Sequence, residues 1–450
     1  MGARQAIRCA VCCSIIMMLS TGWIGTSTKD CRQVARIAAQ VPAVDLPRVG
    51  SLATDRHRLN LKIGTKPPLR SGLVSQIPHG SVMFGDGEYN KASHSQAESL
   101  LLVLNGLLED MKSWKSEASE MARLRVADYG CSQGKNSLPI VSAMIAAGEK
   151  TPIDFFFTDL PQNDWDSAKL VLQSLGHVEP ADKTSFNSPA LLQPFVDDAE
   201  AGNPRSVRMF MCGRSFYEQV IPSNSIDLGY SGTAMHWVSH APKGSGFFNG
   251  GDLYFRNLER NNPMRLEWEN LAAKDWESNL RSRSKELVSG GSLHFVVPVF
   301  DAESCPSSTY QKLADVMMET LQTLLRRGEI SQKEADAFVM PVFLRSQEEF
   351  EAPFQGGAFE GLVLETFSTH VLPCPYWQTY KHDPERFADS YVRSVRAWSY
   401  NSWTSKLAAV SHQADTIIEK LYRAINEGIM KNPEDFRRDY VQAYMTIRKL

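Results

Sequence analysis

The sequence has no long run of charge of one sign. Its 48 Lys and Arg residues nearly balance 51 Asp and Glu residues, which leaves a formal net charge of −3. A nucleic-acid-binding surface needs clustered basic residues, and no segment of this chain is dense in them. The composition therefore predicts no nucleic-acid partner.

Long apolar runs are also missing. The longest near the N-terminus, Cys9 to Ser20, follows Arg4 and Arg8 and is shorter than the roughly 20 residues of a membrane-spanning helix. A basic segment before a short apolar one is typical of a signal peptide or signal anchor; a disordered leader or a wrongly chosen start site is the alternative. We interpret residues 1–28 as a leader that directs the chain to the secretory route or an organelle, with membrane contact through this leader alone. Without a working leader the protein would be cytoplasmic.

Residues 29–80 are rich in Pro, Gly, Ser and basic residues, which predicts a linker or presequence. The folded domain is then expected to cover residues 81–450. A chain of this length with 43% hydrophobic residues can bury a large core.

The eight cysteines lack the spacing of a disulfide framework or a zinc site. Four lie in or beside the leader, and the rest, Cys131, Cys212, Cys305 and Cys374, contain no C-x-x-C pair. We expect these four to be reduced and partly buried. The pair Cys9 and Cys12 has half the spacing of a zinc site without the second half.

A strand, a tight loop and a helix are indicated by residues Val126 to Ala147. An apolar run ends at Asp128, a loop follows with Gly130 and Gly134, and the stretch from Ser137 is apolar at helical spacing. This is the opening of a nucleotide-binding α/β unit. The third glycine of the dinucleotide fingerprint is missing, and an Asp at the strand end suits a ligand that carries an amino group, such as S-adenosylmethionine.

A second parallel strand is predicted from Ile153 to Asp159. An acid at its end can accept hydrogen bonds from both hydroxyls of a ribose. Because Asp159 precedes Pro161 and a helical stretch from Asp164 to Leu175, it is equally suited to cap that helix. Further strands are predicted near Ser225 and after Gly290.

Seven short segments, taken in order, resemble the SABATH family of S-adenosylmethionine-dependent methyltransferases, plant-type enzymes that methylate carboxylic acids and purine alkaloids. They are Gly87 to Gln96, the Asp128 loop, Phe157 to Trp165, Gly213 to Tyr217, Ile221 to Ser225, Met235 to Ser239 and Glu334 to Pro341.

The resemblance implies an α/β class I methyltransferase fold, a Rossmann-like sheet with a helical cap over the active site, the cap coming from segments near residues 242–286 and 308–360. It implies formation of methyl esters from small carboxylic acids. The alternatives are N-methylation of a xanthine-like ring, a non-catalytic S-adenosylmethionine-binding homologue and, on the bare α/β pattern, a nicotinamide dehydrogenase. A homodimer is a property of the family.

Site residues follow from the resemblance by position. Those that match the family's S-adenosylmethionine site are Tyr89, Ser93, Asp128, Cys131, Asn136, Asp159, Leu160, Ser215 and Phe216. In this register, Asp159 holds the ribose, and Ser215 with Phe216 flanks the adenine. Gln96 and Trp237 match the residues that hold the acceptor carboxylate, and His236 lines the same pocket.

A magnesium site occurs in some members of the family. Its ligands here would be Asn249, Asp336 and the Phe338 carbonyl, but Val339 stands where the family has an Asn and offers no side-chain oxygen to a hard cation. The family's Tyr in the substrate loop is also replaced near Thr233, so the shape of the pocket does not carry over.

The leader prediction can be tested alone. A fluorescent protein fused to residues 1–28 should enter the secretory route or an organelle, because the basic and apolar parts are those of a targeting signal. Fluorescence microscopy checks this, with residues 29–80 fused to the same reporter as the control. A diffuse cytosolic signal from the first fusion would contradict the targeting interpretation.

Overall fold

Runs of β-forming apolar residues build the central strands. In the computed structural model, Ile153–Asp159 is a strand in which only the last residue is partly exposed. Leu124–Tyr129 and Ile226–Gly232 are similarly buried on both faces. Burial on both faces is expected of parallel strands covered by helices, and all three agree with the strands predicted from the sequence.

The structure describes residues 82–117, 122–148, 151–173, 193–194, 207–246, 258–300, 308–437 and 439–450. The predicted leader and linker, Asn249 and Cys305 lie outside these residues. Within them, Cys131, Cys212 and Cys374 are buried and free of disulfides. No helix of the described part is long and apolar enough to cross a membrane.

Eight described strands form one mixed sheet in the order β3-β4-β2-β1-β5-β6-β8-β7. The strands are β1 Leu124–Tyr129, β2 Ile153–Asp159, β3 Gln193–Pro194, β4 Val207–Gly213, β5 Ile226–Gly232, β6 Leu287–Pro298, β7 Leu362–Leu372 and β8 Tyr440–Lys449. Strands β4, β2, β1, β5 and β6 run parallel, and β3, β8 and β7 pair antiparallel to their neighbours.

The described α-helices are α1 Glu88–Ala92, α2 His94–Leu100, α3 Leu104–Glu117, α4 Leu138–Gly148, α5 Trp165–Gln173, α6 Pro263–Glu286, α7 Ser308–Arg326, α8 Gln332–Ala335, α9 Gln347–Glu351, α10 Pro375–Tyr380, α11 Pro384–Ala408 and α12 Ala414–Lys431. Short 3₁₀ turns stand at Leu101–Val103, Lys135–Ser137, Ala352–Phe354 and Pro433–Phe436. The first of these turns lies between α2 and α3.

The order of the strands places a crevice at the end of β1. The chain leaves β1 to build β2 and β4 on one side and then returns to build β5 on the other side. Open α/β sheets bind ligands outside the carboxyl ends of the strands at such a switch point. The loops after β1, β2 and β5 therefore meet at the same edge of the sheet.

The last strand has two chemically different faces. Val441, Ala443, Met445 and Ile447 are buried in the apolar core beside β6. The residues between them are polar or aromatic and share their face with residues of β6, since successive side chains of a strand point to opposite faces. Gln442 is on this face, and its pairing with Pro298, the last residue of β6, positions it at the ligand-binding edge of the sheet.

A helical layer covers this edge, as the family resemblance implies. Helices α7, α11 and α12 share one core cluster, which includes Leu321, Trp403 and Ile418. The same cluster contains Trp237 and Met340, from the loop after β5 and the segment before α9. The core of the cap is therefore continuous with the wall of the candidate site.

A buried ion pair at the end of α6 joins this helix to the sheet. Arg283 and Glu286 have fully buried side chains, and Arg283 Nη2 lies 2.8 Å from Glu286 Oε1. Glu286 also accepts hydrogen bonds from the Tyr129 hydroxyl and from the backbone N–H groups of Val220 and Ile221. Arg283 donates to the carbonyl of Phe216, so the pair ties α6, β1 and the loop after β4 together.

Breaking this pair should destabilise the fold strongly. Glu286→Gln keeps the shape of the side chain but leaves the Arg283 charge buried without its partner, a loss of about 3–5 kcal/mol in the free energy of unfolding. The matched control on the same helix is Glu277→Gln, which breaks the exposed pair with Arg281 and should change stability by less than about 1 kcal/mol. Chemical denaturation measures both, and equal losses would contradict this account.

Candidate functional site

The loop after β1 is shaped by its glycines. Gly130 has a φ of 92°, and a Cβ on it would lie 2.6 Å from the Cβ of Ala234. Gly134 has a φ of 76° and precedes the short turn that leads into α4. A residue with a side chain is excluded at Gly130 on both grounds, so the backbone of this loop can approach a ligand closely.

Asp128 lies at the carboxyl end of β1, where the sequence places it. Its side chain is 4% exposed and accepts a hydrogen bond from the Ser137 hydroxyl. Burial raises the pKa of the Asp128 carboxyl to about 7, opposed by the hydrogen bond from Ser137. A cation in this loop, such as an ammonium group, would favour the ionised form.

Asp159 lies at the end of β2 and faces the same loop. Its Oδ2 accepts from the N–H of Ser132 and its Oδ1 from the N–H of Leu160, both at 2.7 Å. Helix α5 is capped by Asp164 instead, whose carboxylate accepts from the N–H of Ser167. The capping role that the sequence left open for Asp159 therefore belongs to Asp164, and the remaining lone pairs of Asp159 can accept further donors.

A first cleft, here called the glycine-loop cleft, opens at these strand ends with about 290 Å³ of empty space. It is lined by Tyr89, Gln96, Leu100, Asp128, Gly130, Cys131, Ser132, Asn136, Ser137 and Gly232. Four of the nine residues predicted for the cofactor line it directly. Ser93 does not line the cleft, but its hydroxyl donates a hydrogen bond to the side-chain oxygen of Asn136, which does.

The other four predicted cofactor residues do not line this cleft but border it. Asp159 and Leu160 are hydrogen-bonded to each other and, through Asp159, to Ser132 of the cleft. The Phe216 ring lies 3.7 Å from the position of a Cβ on Gly130. Ser215 is buried beside it and accepts from the N–H of Tyr217.

A second cleft, here called the cap cleft, lies beneath the helical layer with about 680 Å³ of empty space. It is lined by Met83, Tyr89, Ser95, Gln96, Ser99, Thr233, His236, Trp237, Pro298, Met340, Val342, Leu344, Trp398, Tyr440 and Gln442. All three residues predicted for the acceptor are among them. Tyr89 and Gln96 line both clefts, so the two spaces adjoin at these side chains.

The amide of Gln96 is oriented by its neighbour. The Ser95 hydroxyl donates to Gln96 Oε1 at 2.9 Å, which leaves the Nε2 amide group to donate into the cleft. An oriented neutral amide is a suitable donor for a carboxylate oxygen. Ser95 itself is 4% exposed, so its hydroxyl has little competing solvent.

Three hydrogen bonds to backbone groups hold the loop that carries His236 and Trp237. The Tyr217 hydroxyl donates to the Trp237 carbonyl. Arg345 donates to the Met235 carbonyl at 2.6 Å, and the N–H of Ser239 donates to Asp275 at 2.6 Å. The backbone of this loop is therefore anchored, and the Trp237 side chain packs in the core cluster of the cap.

The same loop pairs with the segment before α9. The N–H of Val238 donates to the Pro341 carbonyl and the N–H of Phe343 to the His236 carbonyl, both at 2.8 Å. His236 and Trp237 thus lie on a segment that pairs with the one that follows Asp336 and Phe338.

Two of the three predicted metal ligands are described. Asp336 accepts a hydrogen bond from the Gln332 side chain at 2.9 Å, and Phe338 is 1% exposed. Within the described part of the chain, no group of three or more His, Cys, Asp or Glu side chains is arranged to hold a metal. The third predicted ligand, Asn249, is outside the described residues.

Several cleft residues were not found from the sequence. Ser95 carried a signal, because it precedes Gln96 in a matched segment. Trp398 lies in no matched segment of the sequence, and it lines the cap cleft. Gln442 carried no motif at all, because its place depends on the pairing of β8 with β6.

Comparison with known proteins agrees with this geometry. A family model described as "SAM dependent carboxyl methyltransferase" matches residues 80–450. Anthranilate O-methyltransferase 2 of Zea mays is 25% identical over 380 residues, covering 81% of this chain and 96% of its own. A probable jasmonic acid carboxyl methyltransferase of Theobroma cacao is 25% identical over 63% of this chain and 74% of its own.

Among solved structures, loganic acid methyltransferase with SAH superposes with a TM-score of 0.62. The match covers 82% of this chain and 98% of that one at 19% identity. At this identity the similarity shows a common fold, and it confirms the α/β sheet with its helical cap.

Asp159 predicts a pH-dependent affinity for S-adenosylhomocysteine. Burial raises the pKa of this carboxyl to about 6, opposed by the N–H groups of Leu160 and Ser132. Above that pH the carboxylate accepts hydrogen bonds from hydroxyls; as the pH falls through about 6 it becomes protonated, and affinity should fall with it.

Titration calorimetry at several pH values measures this dependence. Asp159→Asn should weaken binding by roughly 1.5–3 kcal/mol, because charge-assisted hydrogen bonds are lost, and should remove the decline below pH 6. The exposed Asp166→Asn on α5 is the control and should bind as the wild type does. A folded Asp159→Asn protein with unchanged affinity would exclude Asp159 from the site.

Proposed function

The chain belongs to the family of S-adenosylmethionine-dependent carboxyl methyltransferases, and we propose that Gln96 and Trp237 hold the acceptor carboxylate against the methyl donor in its active site. The family assignment confirms the resemblance found in the sequence. It also disfavours the nicotinamide dehydrogenase that the bare α/β pattern left open. The roles of individual residues are proposed from the geometry of the two clefts.

S-adenosylmethionine fits the glycine-loop cleft. The Ser132 hydroxyl there is buried and has no hydrogen-bond partner among the described residues, so the cleft offers a polar atom to a ligand. Asp128 suits the ligand's ammonium group and Asp159 its ribose hydroxyls. When bound, the cofactor supplies an electrophilic methyl group on a sulfonium. Tyr89, which lines both clefts, is placed to contact that cation with its ring.

The acceptor site is a neutral cleft. None of the residues that line the cap cleft is Lys, Arg, Asp or Glu. A substrate with a second charge would have to leave it unpaired in a poorly hydrated space, which is costly. We therefore propose small monocarboxylic acids as the substrate class, with the carboxylate bound by neutral N–H donors.

Methyl transfer to a carboxylate needs orientation more than acid–base chemistry. A carboxylic acid, whose ordinary pKa is ~4, is already ionised at neutral pH and requires no general base. One of its oxygens forms the new bond to the methyl carbon as the bond from that carbon to sulfur breaks, and the electron pair stays on sulfur. Gln96 Nε2 and the Trp237 indole N–H would hold the carboxylate in line, and such orientation can contribute ~7–11 kcal/mol.

The single observation that carries this proposal is that Gln96 lines both clefts. A side chain at the junction of donor and acceptor spaces contacts the acceptor where the methyl group passes. Its Nε2 is free to donate because Ser95 occupies its oxygen.

The closest enzymatic alternative is N-methylation of a xanthine-like ring. A ring nitrogen has to lose its proton, so that reaction would call for a base in the cap cleft, and His236 is the residue there that could act as one. A neutral ring would have less use for the two N–H donors of Gln96 and Trp237. The other alternative, a non-catalytic homologue, predicts cofactor binding without turnover on any acid.

We also propose a magnesium site formed by Asp336, Asn249 and the Phe338 carbonyl. A Cβ on Gly246 would lie 3.0 Å from Asp336 Oδ1, and Asn249 follows three residues later in the sequence, which supports a site between them. The hydrogen bond from Gln332 to Asp336 occupies part of the coordination that a cation would need. No step of the reaction is assigned to the metal.

The oligomeric state and location are likewise proposals. Membership of the family supports a homodimer, and the sequence of residues 1–28 supports targeting to the secretory route or an organelle.

Removing either donor should impair turnover without releasing the cofactor. Gln96→Ala and Trp237→Phe each delete an N–H donor to the carboxylate. Each should lose roughly 1–3 kcal/mol of transition-state stabilisation, calculated from the ratio of the kcat/KM values. Affinity for S-adenosylhomocysteine should stay near the wild-type value. Gln378→Ala, at an exposed position of α10, is the control. Normal turnover by Gln96→Ala would exclude Gln96 from this role.

The pH dependence of turnover on an acid substrate separates the two enzymatic alternatives. With a carboxylate acceptor, no essential group with an ordinary histidine pKa of ~6.5 should titrate in kcat, because no proton is removed. His236→Ala should mainly change which acid is preferred. A titration near that pH that disappears in His236→Ala would instead indicate an acceptor that has to be deprotonated.

A further inference from the structure

Gln442 is a buried polar residue whose side-chain oxygen has no hydrogen-bond partner in the part of the chain that the structure describes. It lies on β8, is 1% exposed and lines the cap cleft. Its side-chain oxygen, Oε1, is buried and has no hydrogen-bond partner among the described residues. Most buried polar atoms have a partner, and an exception needs an explanation.

The neighbours of Gln442 in the sheet do not supply a donor. Pro298 is directly opposite on β6 and has no N–H. His370 is directly opposite on β7, and its Nε2 contacts the Ser368 hydroxyl at 3.0 Å instead. Since an unsatisfied buried oxygen costs about 1–3 kcal/mol, an apolar residue would make this strand more stable.

The rest of the cleft shows what kind of group Gln442 faces. Much of the wall is apolar, with Met83, Met340, Val342, Leu344 and Trp398 contributing side chains. Gln442 and the pair Gln96 and Trp237 come from different elements, β8 on the one hand and α2 with the loop after β5 on the other. Polar groups placed in a mainly apolar pocket fix the orientation of a ligand.

We propose that Gln442 selects the acceptor by accepting a hydrogen bond from a neutral hydroxyl or N–H group on the body of the acid. This inference rests on the proposed carboxyl methylation and adds to it the substrate class: a monocarboxylic acid with an apolar body that carries one neutral hydrogen-bond donor apart from the carboxyl group. An acid without the donor would leave Oε1 unpaired in the closed complex, whereas the matching acid satisfies it. Sites built this way reject the analogue that lacks the donor.

The test compares acids in matched triplets with labelled S-adenosylmethionine. Each triplet holds a hydroxylated acid, its methyl ether and its deoxy counterpart, on both aromatic and aliphatic bodies and at several ring or chain positions. The ether can accept but cannot donate, so it separates loss of the donor from loss of polarity. The proteins are the wild type, Gln442→Met, which replaces the amide by a group of similar length, and the exposed Gln378→Met as a matched control.

In at least one triplet the wild type and Gln378→Met should favour the hydroxylated acid over both analogues by about ten-fold in kcat/KM. Gln442→Met should lose this preference, because its side chain cannot accept the hydrogen bond that the hydroxylated acid donates. Its thermal unfolding should occur at or above the wild-type temperature, because the substitution removes an unsatisfied buried oxygen. That readout also shows that the variant is folded.

Two results would overturn the inference. One is a wild-type enzyme that methylates acids with no preference for the hydroxylated member of any triplet. The other is a preference that persists in Gln442→Met. If the wild type binds S-adenosylhomocysteine but methylates no acid at all, the proposed function fails, and the inference fails with it for that separate reason.

Discussion

The buried pair of Arg283 and Glu286 is the interaction on which the site most depends. It lies where α6 enters β6 and gathers hydrogen-bond partners from β1 and from the loop after β4. That loop carries Phe216, whose ring packs against the position of Gly130. Two charges taken out of water are tolerated only when their hydrogen-bonding groups are satisfied. One of the groups that satisfy this pair is the carbonyl of Phe216, a residue that borders the glycine-loop cleft. The stability of the fold and the shape of the site are therefore coupled at this point.

The chemistry needs alignment, and the structure provides it through anchored loops. Tyr217, Arg345 and Asp275 hold the backbone of the loop after β5, which carries the Trp237 indole into the wall of the cap cleft. A carboxylate acceptor is already a nucleophile, which agrees with a cap cleft in which neutral donors and apolar walls predominate. The two clefts meet at Tyr89 and Gln96, and the path that we propose for the methyl group runs through their junction.

Local patterns in the sequence were sufficient for the parallel core. The run of β-forming residues from Ile153 predicts the strand Ile153–Asp159, because a buried parallel strand is usually a nearly continuous run of apolar residues. Asp128 and Asp159 could be placed at strand ends for the same reason. Whether Asp159 binds a ribose or caps α5 could not be decided from the sequence, since both roles place an acid between β2 and the helix.

The sequence could not show which residues from distant segments of the chain line the two clefts. Trp398 and Gln442 reach the cap cleft from α11 and β8, far along the chain from Gln96. Their contribution depends on strand register and helix packing, which no local pattern encodes. The most direct measurement of the central claim is the chemistry of the product formed from labelled S-adenosylmethionine and a panel of monocarboxylic acids. The account predicts a methyl ester, whose label is released by mild alkali. A label that resists alkali, on nitrogen or in an ether, would contradict it.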